Sequence, residues 1–576
     1  MDRVIRVNAR LGTIAATPVS EETRAWGGRQ TIAEVLTRET SPLSDPLGRG
    51  NALVFAPGWL GGTAVTTSGR LSVGAKSPLT GGIKEANVGG EAGQKLARLG
   101  VHALILEDAP DAPAARGLYV GPHGARWIED LSLAGRTVGE TFRVLRERFG
   151  ETCGILAIGP AGEFRMGAAG VATTDASGTQ IRYAARGGLG AVMGAKGVKA
   201  IVLDDGGAAA DRGADPARLA EAARRYATAL INDPKAQGMS KQGTSAIVGT
   251  ANELGLLPTR NFREGRFEAA DALQGARLAE LVAERGGRGR TGVPCMTGCV
   301  IRCSNVFPDP GGEIAVASLQ YETIALLGSN CGVATLDGVA HLNALCNDLG
   351  LDTIEMGCVL GVAMEAGLAA FGDVEAAADL LTQTAKGTPL GRILGQGVVF
   401  AGRALGVRRI PAVNGQGIPG YDPRAMKGNG VTYVTSPMGA DHTAGNAFGT
   451  WKAIDPLSGA GQIANSRGLQ VRAAILDMAG LCLFARAPFV AEPELLADLV
   501  SGRLGRDVSF SDIVTAAAHT LTLERDFNQR AGRSDAFCDV PEFMRFEPLP
   551  PHNTVFDIGH DEMMRIWDIE PDRKGF

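Results

Sequence analysis

The feature that most constrains this chain is a run of three cysteines, Cys295, Cys299 and Cys303, spaced four positions apart. The chain has nine cysteines in all, so three of them within nine positions is a strong local concentration. Three thiolates on one loop can supply three ligands to a metal or an iron–sulfur cluster. A fourth ligand must then come from elsewhere, so the run predicts a fold that brings a distant segment back to this loop.

Two other interpretations of the run stay open at this point. Free cysteines are often simply buried as small apolar side chains, and zinc sites also use cysteines. Pro294 and Gly298 argue against a regular helix that would bury the three thiols on one face. A zinc knuckle usually has closer C-x-x-C pairs and a histidine, and no histidine lies near the run. A cluster-binding loop is therefore favoured over both.

Length and charge limit the class of protein. A chain of 576 residues with 45% hydrophobic residues forms several domains or one unit of several lobes. The net charge of −5 gives no reason to expect a nucleic-acid partner. No apolar run reaches the roughly 18 residues of a membrane helix, and the first residues lack a signal-peptide core. We expect a cytoplasmic protein without membrane contact, whose cysteines are ligands or buried thiols rather than disulfides.

The residue pattern changes along the chain. Short apolar segments separated by Gly, Pro, Asn and Asp predict a β-rich domain over residues 1–207. After a linker at 206–215, apolar residues recur at helical spacing, and the pattern predicts helices over, for example, 216–231 and 470–484. A second break rich in Pro and Gly falls near 408–422. The sequence predicts an α+β fold, with the β-rich domain followed by two mainly helical domains, 208–412 and 413–576.

Two glycine-rich blocks, residues 67–90 and 182–196, lie in the predicted β-rich domain. Exposed N–H groups of glycine-rich backbone, together with the forked donors of arginine, suit phosphate oxygens. The glycines near Gly188 do not have the spacing of a dinucleotide-binding fingerprint. Each block alone is equally consistent with tight turns, but two blocks in one domain favour an anionic ligand.

Several ordered motifs over nearly the whole chain resemble one known family. They are Lys76-Ser77-Pro78-Leu79-Thr80-Gly81, Ala86-Asn87-Val88-Gly89-Gly90, Arg186-Gly187-Gly188-Leu189-Gly190, Tyr321-Glu322, Tyr421-Asp422-Pro423-Arg424 and Asp477-Met478-Ala479-Gly480-Leu481-Cys482. With these motifs the chain resembles the aldehyde ferredoxin oxidoreductase family. Its members are tungsten or molybdenum enzymes with two pyranopterin cofactors and one [4Fe–4S] cluster.

The resemblance implies positions for each cofactor. The cluster ligands would be Cys295, Cys299, Cys303 and Cys482, although this chain has three residues between the first two cysteines where the family usually has two. The family's two pterin loops, D-x-x-G-L-D and D-x-x-G-L-C, match residues 347–352 and 477–482, with asparagine in place of the first aspartate. These loops imply pterin contacts at Asn347, Asp348, Asp352, Asp477, Leu481 and Leu483. The β-rich domain would bind pterin phosphates and a bridging Mg²⁺ through Arg70, Asn87, Gly89, Arg182 and Tyr183.

In some family members an E-x-x-H motif holds an additional iron between two subunits. The matching positions here are His341 and Ala344. We therefore expect no such iron and do not expect the dimer that it supports.

The catalytic residues implied by the resemblance are Glu322 and His442. Glu322 precedes an apolar run, so a partly desolvated carboxylate with a raised pKa would suit a general base. The predicted reaction is oxidation of an aldehyde to a carboxylic acid. One alternative within the family is reduction of a carboxylic acid or an aromatic CoA thioester. A different class is a non-catalytic iron–sulfur or zinc scaffold protein.

The predicted electron acceptor is a second protein. The five other cysteines are scattered, and no flavin or nicotinamide fingerprint is present. Electrons would pass to a ferredoxin or a ferredoxin-like iron–sulfur subunit, possibly with a flavin subunit, in a hetero-oligomer. Arginines near the cysteine loop are candidate contacts with an acidic partner, or alternatively a solvated loop: Arg285, Arg288, Arg290 and Arg302.

Overall fold

The structure is a computed structural model that describes residues 1–175, 177–178 and 181–576. Its first part contains two six-stranded sheets, each of which pairs one strand couple in parallel and the others antiparallel. The first sheet has the order β2-β1-β6-β3-β4-β5, built from β1 Arg3–Asn8, β2 Ile14–Pro18, β3 Leu53–Pro57, β4 Leu71–Lys76, β5 Ile83–Val88 and β6 Val101–Glu107. The second has the order β11-β10-β9-β12-β7-β8, built from β7 Arg116–Gly121, β8 Gly124–Ile128, β9 Gly154–Ala157, β10 Val171–Thr174, β11 Ile181–Ala184 and β12 Val198–Leu203.

Six helices lie among these strands: α1 Glu21–Ala25, α2 Gly28–Glu39, α3 Ala92–Arg98, α4 Val138–Phe149, α5 Pro160–Glu163 and α6 Leu189–Ala195. Helices α2, α3 and α6 pack on the strands. Every residue of β3, β4 and β12 is buried. Burial on both faces explains why these strands are nearly continuous apolar runs rather than alternating ones.

The rest of the chain is mainly helical. Helices of its first half are α7 Pro216–Ile231, α8 Pro234–Gln242, α9 Ile247–Glu253, α10 Ala270–Leu273, α11 Gly275–Arg285, α12 Tyr321–Thr323, α13 Leu336–Leu349, α14 Thr353–Glu365, α15 Val374–Lys386, α16 Pro389–Gly395 and α17 Val398–Ala404. Helices of its second half are α18 Lys427–Thr435, α19 Gln462–Ala479, α20 Ala487–Ala491, α21 Glu494–Leu504, α22 Phe510–Arg530, α23 Glu542–Phe546 and α24 His560–Met564. Small sheets are formed by β13 Arg290–Val293, β14 Ser304–Pro308 and β15 Ile314–Val316, and by β16 Ala412–Val413 and β17 Gln416–Gly417.

The predicted α+β class, with a β-rich part before a mainly helical part, is confirmed. Helix α7 has the predicted bounds because Asp215 caps its N-terminus and Pro216 occupies its first turn. The sequence pattern predicted a helix over 470–484, a range that includes Cys482. The structure instead has α19, which begins at Gln462 and stops before Gly480, a glycine with φ of +72°.

The two helical cores do not follow chain order. One core packs residues of 248–447 together with 538–566. The other packs α7 and the cysteine loop against residues of 471–521, and α7 lies against α21. Each core thus takes residues from both sides of 412, and the domain boundaries at 207 and 412 stay predictions. Among the described residues no single helix is long and apolar enough to cross a membrane, although two bent helix pairs reach that length and composition when joined.

Candidate active site

Two matched glycine junctions join the β-rich part to the helical part. Gly350 follows α13 with φ of +81°, and Gly480 follows α19 with φ of +72°. A left-handed glycine commonly ends a helix because it has no Cβ to clash. Gly58 faces Gly480 so closely that a Cβ would lie within 3 Å of the Gly480 backbone, and Gly159 is as close to Gly350. Backbone meets backbone at both junctions, which leaves no room for a side chain.

The hydrogen bonds around the two glycines follow one pattern. Each glycine carbonyl accepts from the N–H of the residue just before a strand, and the N–H two residues after the glycine donates back to the β-rich part. The four bonds are Gly170 N to Gly350 O at 3.0 Å, Arg70 N to Gly480 O at 3.1 Å, Asp352 N to Ala168 O at 2.9 Å and Cys482 N to Thr67 O at 3.2 Å. Asp352 and Cys482, the last residues of the two similar segments 347–352 and 477–482, therefore occupy equivalent positions at the two junctions.

Replacing Gly58 with alanine should damage this docking. The added Cβ would meet the rigid backbone of Gly480, and forced overpacking costs about 1–3 kcal/mol or more. We expect a clearly lower melting temperature and weaker metal retention. Gly468→Ala is the matched control, because Gly468 lies within α19 with no atom within 4 Å of an added Cβ. Equal melting temperatures for the two variants would contradict the prediction.

The four predicted cysteines come together where the second junction meets the cysteine loop between β13 and β14. The Cys299 thiol hydrogen-bonds Cys295 and lowers the pKa of Cys295 to about 6 against the effect of burial, and Arg182 and Arg70 add to the lowering. Burial raises the pKa of Cys303 to about 12, and the Cys295 and Cys482 thiols add to that rise. The four thiols thus interact electrostatically. Within the described residues, no three or more His, Cys, Asp or Glu side chains are grouped closely enough to hold a single metal ion.

A cavity of about 280 Å³ adjoins these cysteines. It brings together residues from the β-rich part, the cysteine loop, α13 and the second junction. The predicted site residues that line it are Arg70, Gly89, Arg182, Tyr183, Asn347, Cys295, Cys303 and Cys482. Polar lining residues that sequence reasoning missed are Ser304, Ser318, Gln320, Thr323, Asn343 and Thr353. No motif or spacing in the sequence marked these six.

Neighbouring side chains hold the two arginines in the cavity wall. Arg70 donates from Nη2 to the Asn87 carbonyl oxygen at 2.8 Å and from Nε to the Asn87 side chain. Arg182 donates to the hydroxyl of Ser318 at 3.3 Å and to that of Ser304. Asn87 is outside the cavity lining and instead orients Arg70.

The remaining predicted cofactor residues support the junctions without lining this cavity. Asp352 accepts at 2.9 Å from Ile354 N at the start of α14, and its other oxygen is 3.2 Å from Arg186. Burial raises the pKa of Asp477 to about 6 despite the nearby Arg29 guanidinium. Asp348 accepts from Gly139 N at 3.3 Å, Leu481 is buried, and Leu483 starts a short 3₁₀ turn. The group therefore consists of Asp348, Asp352, Asp477, Leu481 and Leu483.

Glu322 and His442 face each other beside this cavity. Glu322 lies in α12 next to Thr323, which lines the cavity, whereas neither Glu322 nor His442 is itself a lining residue. His442 Nε2 is 3.5 Å from Glu322 Oε1, and Gly420 N donates to Glu322 Oε2 at 2.8 Å. Burial raises the pKa of Glu322, while His442 and the Gly420 N–H partly oppose the rise. Within the described residues, the buried atoms Glu322 Oε1 and His442 Nδ1 have no hydrogen-bond partner.

Aromatic rings enclose this pair. The Tyr421 ring centroid is 5.9 Å from that of His442, 5.1 Å from that of Tyr321 and 5.5 Å from that of Phe448. Buried polar atoms without partners are unfavourable, so the two unpartnered atoms in an aromatic setting indicate a place where a ligand completes the hydrogen bonding. Sequence reasoning noted Tyr321 and Tyr421 only as family markers and missed Phe448.

Comparisons with known proteins identify the family of the chain. The family model described as "Aldehyde ferredoxin oxidoreductase, N-terminal domain" matches residues 4–205, and "Aldehyde ferredoxin oxidoreductase, domains 2 & 3" matches residues 221–567. Proteins named tungsten-containing aldehyde ferredoxin oxidoreductase from Pyrococcus abyssi and Pyrococcus horikoshii are each 33% identical, over 95% of this chain and 92% of theirs.

A solved structure shares the fold. It is the active site complex BamBC of benzoyl coenzyme A reductase in complex with 1,5-dienoyl-CoA. The TM-score is 0.79 at 18% identity, covering 98% of this chain and 93% of the other. The two family models together cover nearly the whole chain, and so do the sequence relatives. The chain belongs to the aldehyde ferredoxin oxidoreductase family.

Proposed function

We propose that this chain is a tungsten or molybdenum pterin enzyme that oxidises aldehydes to carboxylic acids. The observation that carries the proposal is the Glu322–His442 pair, whose two unpartnered buried atoms lie beside a polar cavity. The names of the relatives support tungsten and an aldehyde substrate. Membership of a family of oxidoreductases favours an enzyme over a scaffold protein.

The side chains present fit the implied cofactors. Arg70 and Arg182 place two guanidinium groups in the cavity wall, which suits anionic phosphate. Gly89 adds backbone without a side chain beside Arg70 and Cys295. We assign the pterin groups and Mg²⁺ to the residues predicted above, namely Arg70, Asn87, Gly89, Arg182, Tyr183, Asn347, Asp348, Asp352, Asp477, Leu481 and Leu483.

Four cysteines that influence one another between the cysteine loop and the second junction suit an iron–sulfur cluster. A single zinc ion would draw its sulfurs to about 2.3 Å from one centre. We assign a [4Fe–4S] cluster to Cys295, Cys299, Cys303 and Cys482 on the mutual influence of the four thiols, and metal analysis distinguishes it from zinc.

The reaction converts an aldehyde and water to a carboxylic acid with release of two electrons and two protons. The tungsten or molybdenum pterin group supplies the electron-accepting centre for it. Glu322 accepts a proton at Oε1, and its raised pKa keeps it an effective base near neutral pH. His442 presents Nδ1 to an oxygen of the substrate and orients it. The rings of Tyr421 and Phe448 exclude water from the reacting atoms.

The experiment that tests this function combines metal analysis with a substrate panel. The purified chain should contain tungsten or molybdenum with about four irons and reduce a viologen dye with aldehydes. Carboxylic acids and aromatic CoA thioesters with reduced viologen test the reductive alternative. Zinc alone, without aldehyde oxidation, would contradict the proposal.

We also propose a ferredoxin or ferredoxin-like iron–sulfur subunit, possibly with a flavin subunit, as the electron acceptor in a hetero-oligomer. Two of the four arginines suggested as contacts with an acidic partner already pair with carboxylates of this chain, which weakens that suggestion. Arg285 forms ion pairs with Asp337 at 2.7 Å, and Arg288 lies 3.8 Å from Glu313. Of these four arginines, Arg290 and Arg302 are exposed and form no ion pair with the described residues.

Direct reduction of NAD by the isolated chain should be absent. Aldehyde plus NAD should give no NADH until a companion flavin subunit is added, because the cluster delivers electrons one at a time and NAD accepts two as a hydride. Ferredoxin added alone should become reduced without forming NADH. The measurement is NADH absorbance with and without the added protein, and dye reduction shows that the enzyme is active. NAD reduction by this chain alone at the dye rate would exclude a separate acceptor.

A further inference from the structure

A fully buried ion pair connects the β-rich part to the loop that carries His442. Lys84 lies on β5 with none of its side chain exposed, and its Nζ contacts the Asp441 carboxylate. Asp441 is the residue before His442 and is itself buried. An unpaired ammonium in such a place is costly, so lysines are seldom buried without a partner. Lys84 is therefore tied to Asp441 by electrostatics across two distant parts of the chain.

The Asp441 carboxylate, held by Lys84, also fixes the backbone on both sides of His442. One carboxylate oxygen pairs with Lys84, and the other accepts from Thr443 N at 2.9 Å and from Thr443 Oγ1 at 2.7 Å. These bonds cap the short 3₁₀ turn His442–Ala444. His442 stands between the two residues that the carboxylate joins, so its backbone position depends on Asp441.

Arg186 constrains the same loop from a second side. Its guanidinium donates to the carbonyl oxygens of Ala440 and Gly417, each at 2.6 Å. Ala440 precedes Asp441, and Gly417 lies three residues before Gly420, whose N–H holds Glu322. The backbone that faces Glu322 and the backbone that carries His442 are thus fastened to one buried arginine.

We propose that Lys84 is a positioning residue that sets the place and the electrostatic environment of His442 and Glu322 through Asp441. The proposal rests on the proposed function for its kinetic readouts only. His442 Nε2 and Glu322 Oε1 are 3.5 Å apart, and His442 Nδ1 has no hydrogen-bond partner in the described residues. Because the His442 side chain forms so few hydrogen bonds of its own, the Lys84–Asp441 pair and Arg186 fix its position.

Removing Lys84 and removing the Asp441 charge should shift the pKa of Glu322 in opposite directions. The Asp441 anion raises the pKa of Glu322, and Arg186 lowers it. Without Lys84 the Asp441 charge is no longer balanced, so the pKa of Glu322 rises and the acid limb of kcat/KM moves to higher pH. Without the Asp441 charge the limb moves to lower pH. The other titratable groups that face Glu322 are His442, Tyr321, Tyr421 and Tyr433.

The test compares Lys84→Met and Asp441→Asn with Lys199→Met. Lys199 is the matched control because it is also a lysine of the β-rich part with no exposed side chain, and it pairs with Glu163. We expect Lys84→Met to lower kcat by about 10- to 100-fold, as small misplacements do, with metal content kept. Lys84→Met and Asp441→Asn should shift the acid limb in opposite directions, and Lys199→Met should change neither kcat nor the limb.

A crystal structure of each variant gives a readout that does not need activity. The His442–Glu322 distance should change in Lys84→Met and stay the same in Lys199→Met. If Lys84→Met does not fold, Asp441→Asn carries the test, since its amide oxygen can still accept from Thr443. An unmoved histidine with a wild-type pH profile would overturn the proposal. Failure of every variant and the wild type to oxidise aldehydes would instead contradict the proposed function, and the distances would still decide the positioning role.

Discussion

Glu322→Gln should reduce kcat by about 10²-fold or more, the usual contribution of a general base. The variant keeps the size of the side chain and its oxygen for Gly420 N, but it cannot accept a proton. Tungsten or molybdenum and iron contents should remain at wild-type values. The measurements are steady-state kinetics with a viologen dye and metal analysis of the same sample.

The pH dependence gives this prediction a second test. In the wild type, kcat/KM should fall on the acid side as Glu322 becomes protonated. Because burial raises the pKa of Glu322, this limb should lie above the ordinary glutamate value of about 4.3. Glu322→Gln should lose the limb. A variant with near-normal kcat and an unchanged profile would exclude the base role.

Stability separates loss of the base from structural damage. A carboxyl group whose pKa is raised on folding lowers stability as the pH rises above its unfolded value, because the folded state then disfavours the charged form. Glu322→Gln should therefore keep or raise the melting temperature at pH 7. Glu365→Gln is the control, since Glu365 is a mostly buried carboxylate of α14 paired with Arg263 at 2.8 Å and lies outside the proposed site. It should leave kcat unchanged.

Cys482→Ser should remove most of the iron and the EPR signal of the reduced cluster. Serine is a poor replacement for a thiolate ligand, and Cys482 is the one proposed ligand that lies outside the cysteine loop. Loss of the cluster should also lower the melting temperature, because the cluster would join that loop to the junction after α19. Iron analysis, EPR and thermal unfolding measure the three effects.

Cys153→Ser is the matched control for this change. Cys153 is buried and donates from Sγ to the Gly150 carbonyl oxygen at 3.0 Å, a bond that a serine hydroxyl can replace. Its iron content and EPR signal should equal those of the wild type. Full iron and an unchanged EPR signal in Cys482→Ser would show that Cys482 is not a ligand.

Local sequence chemistry predicted much of the architecture. Continuous apolar segments such as Leu53–Pro57 are strands because both of their faces are buried. Apolar residues at helical spacing predicted α7, and its start agrees with the cap that Asp215 forms in the structure. The helix before Cys482 was placed less well, because the glycine that ends it also belongs to a junction that only tertiary contacts define.

Some residues of the candidate site could likewise be predicted from the sequence, and others depend on tertiary contacts. The spacing of Cys295, Cys299 and Cys303 and the resemblance of residues 477–482 to a family motif are properties of the sequence alone. The sequence, through the family resemblance, could therefore propose which cysteines act together and that Glu322 and His442 line one pocket.

Only the tertiary structure decided how those groups are supported. Lys84 and Asp441 are 357 positions apart, and no local pattern marks either of them. Their pairing follows from burial, since a charge removed from water needs an opposite charge nearby. The matched junctions at Gly350 and Gly480 likewise depend on how closely two backbones approach. Motif, capping and apolar spacing act over a few residues and can be read from the sequence, whereas close packing and charge pairing depend on which distant segments the fold brings into contact.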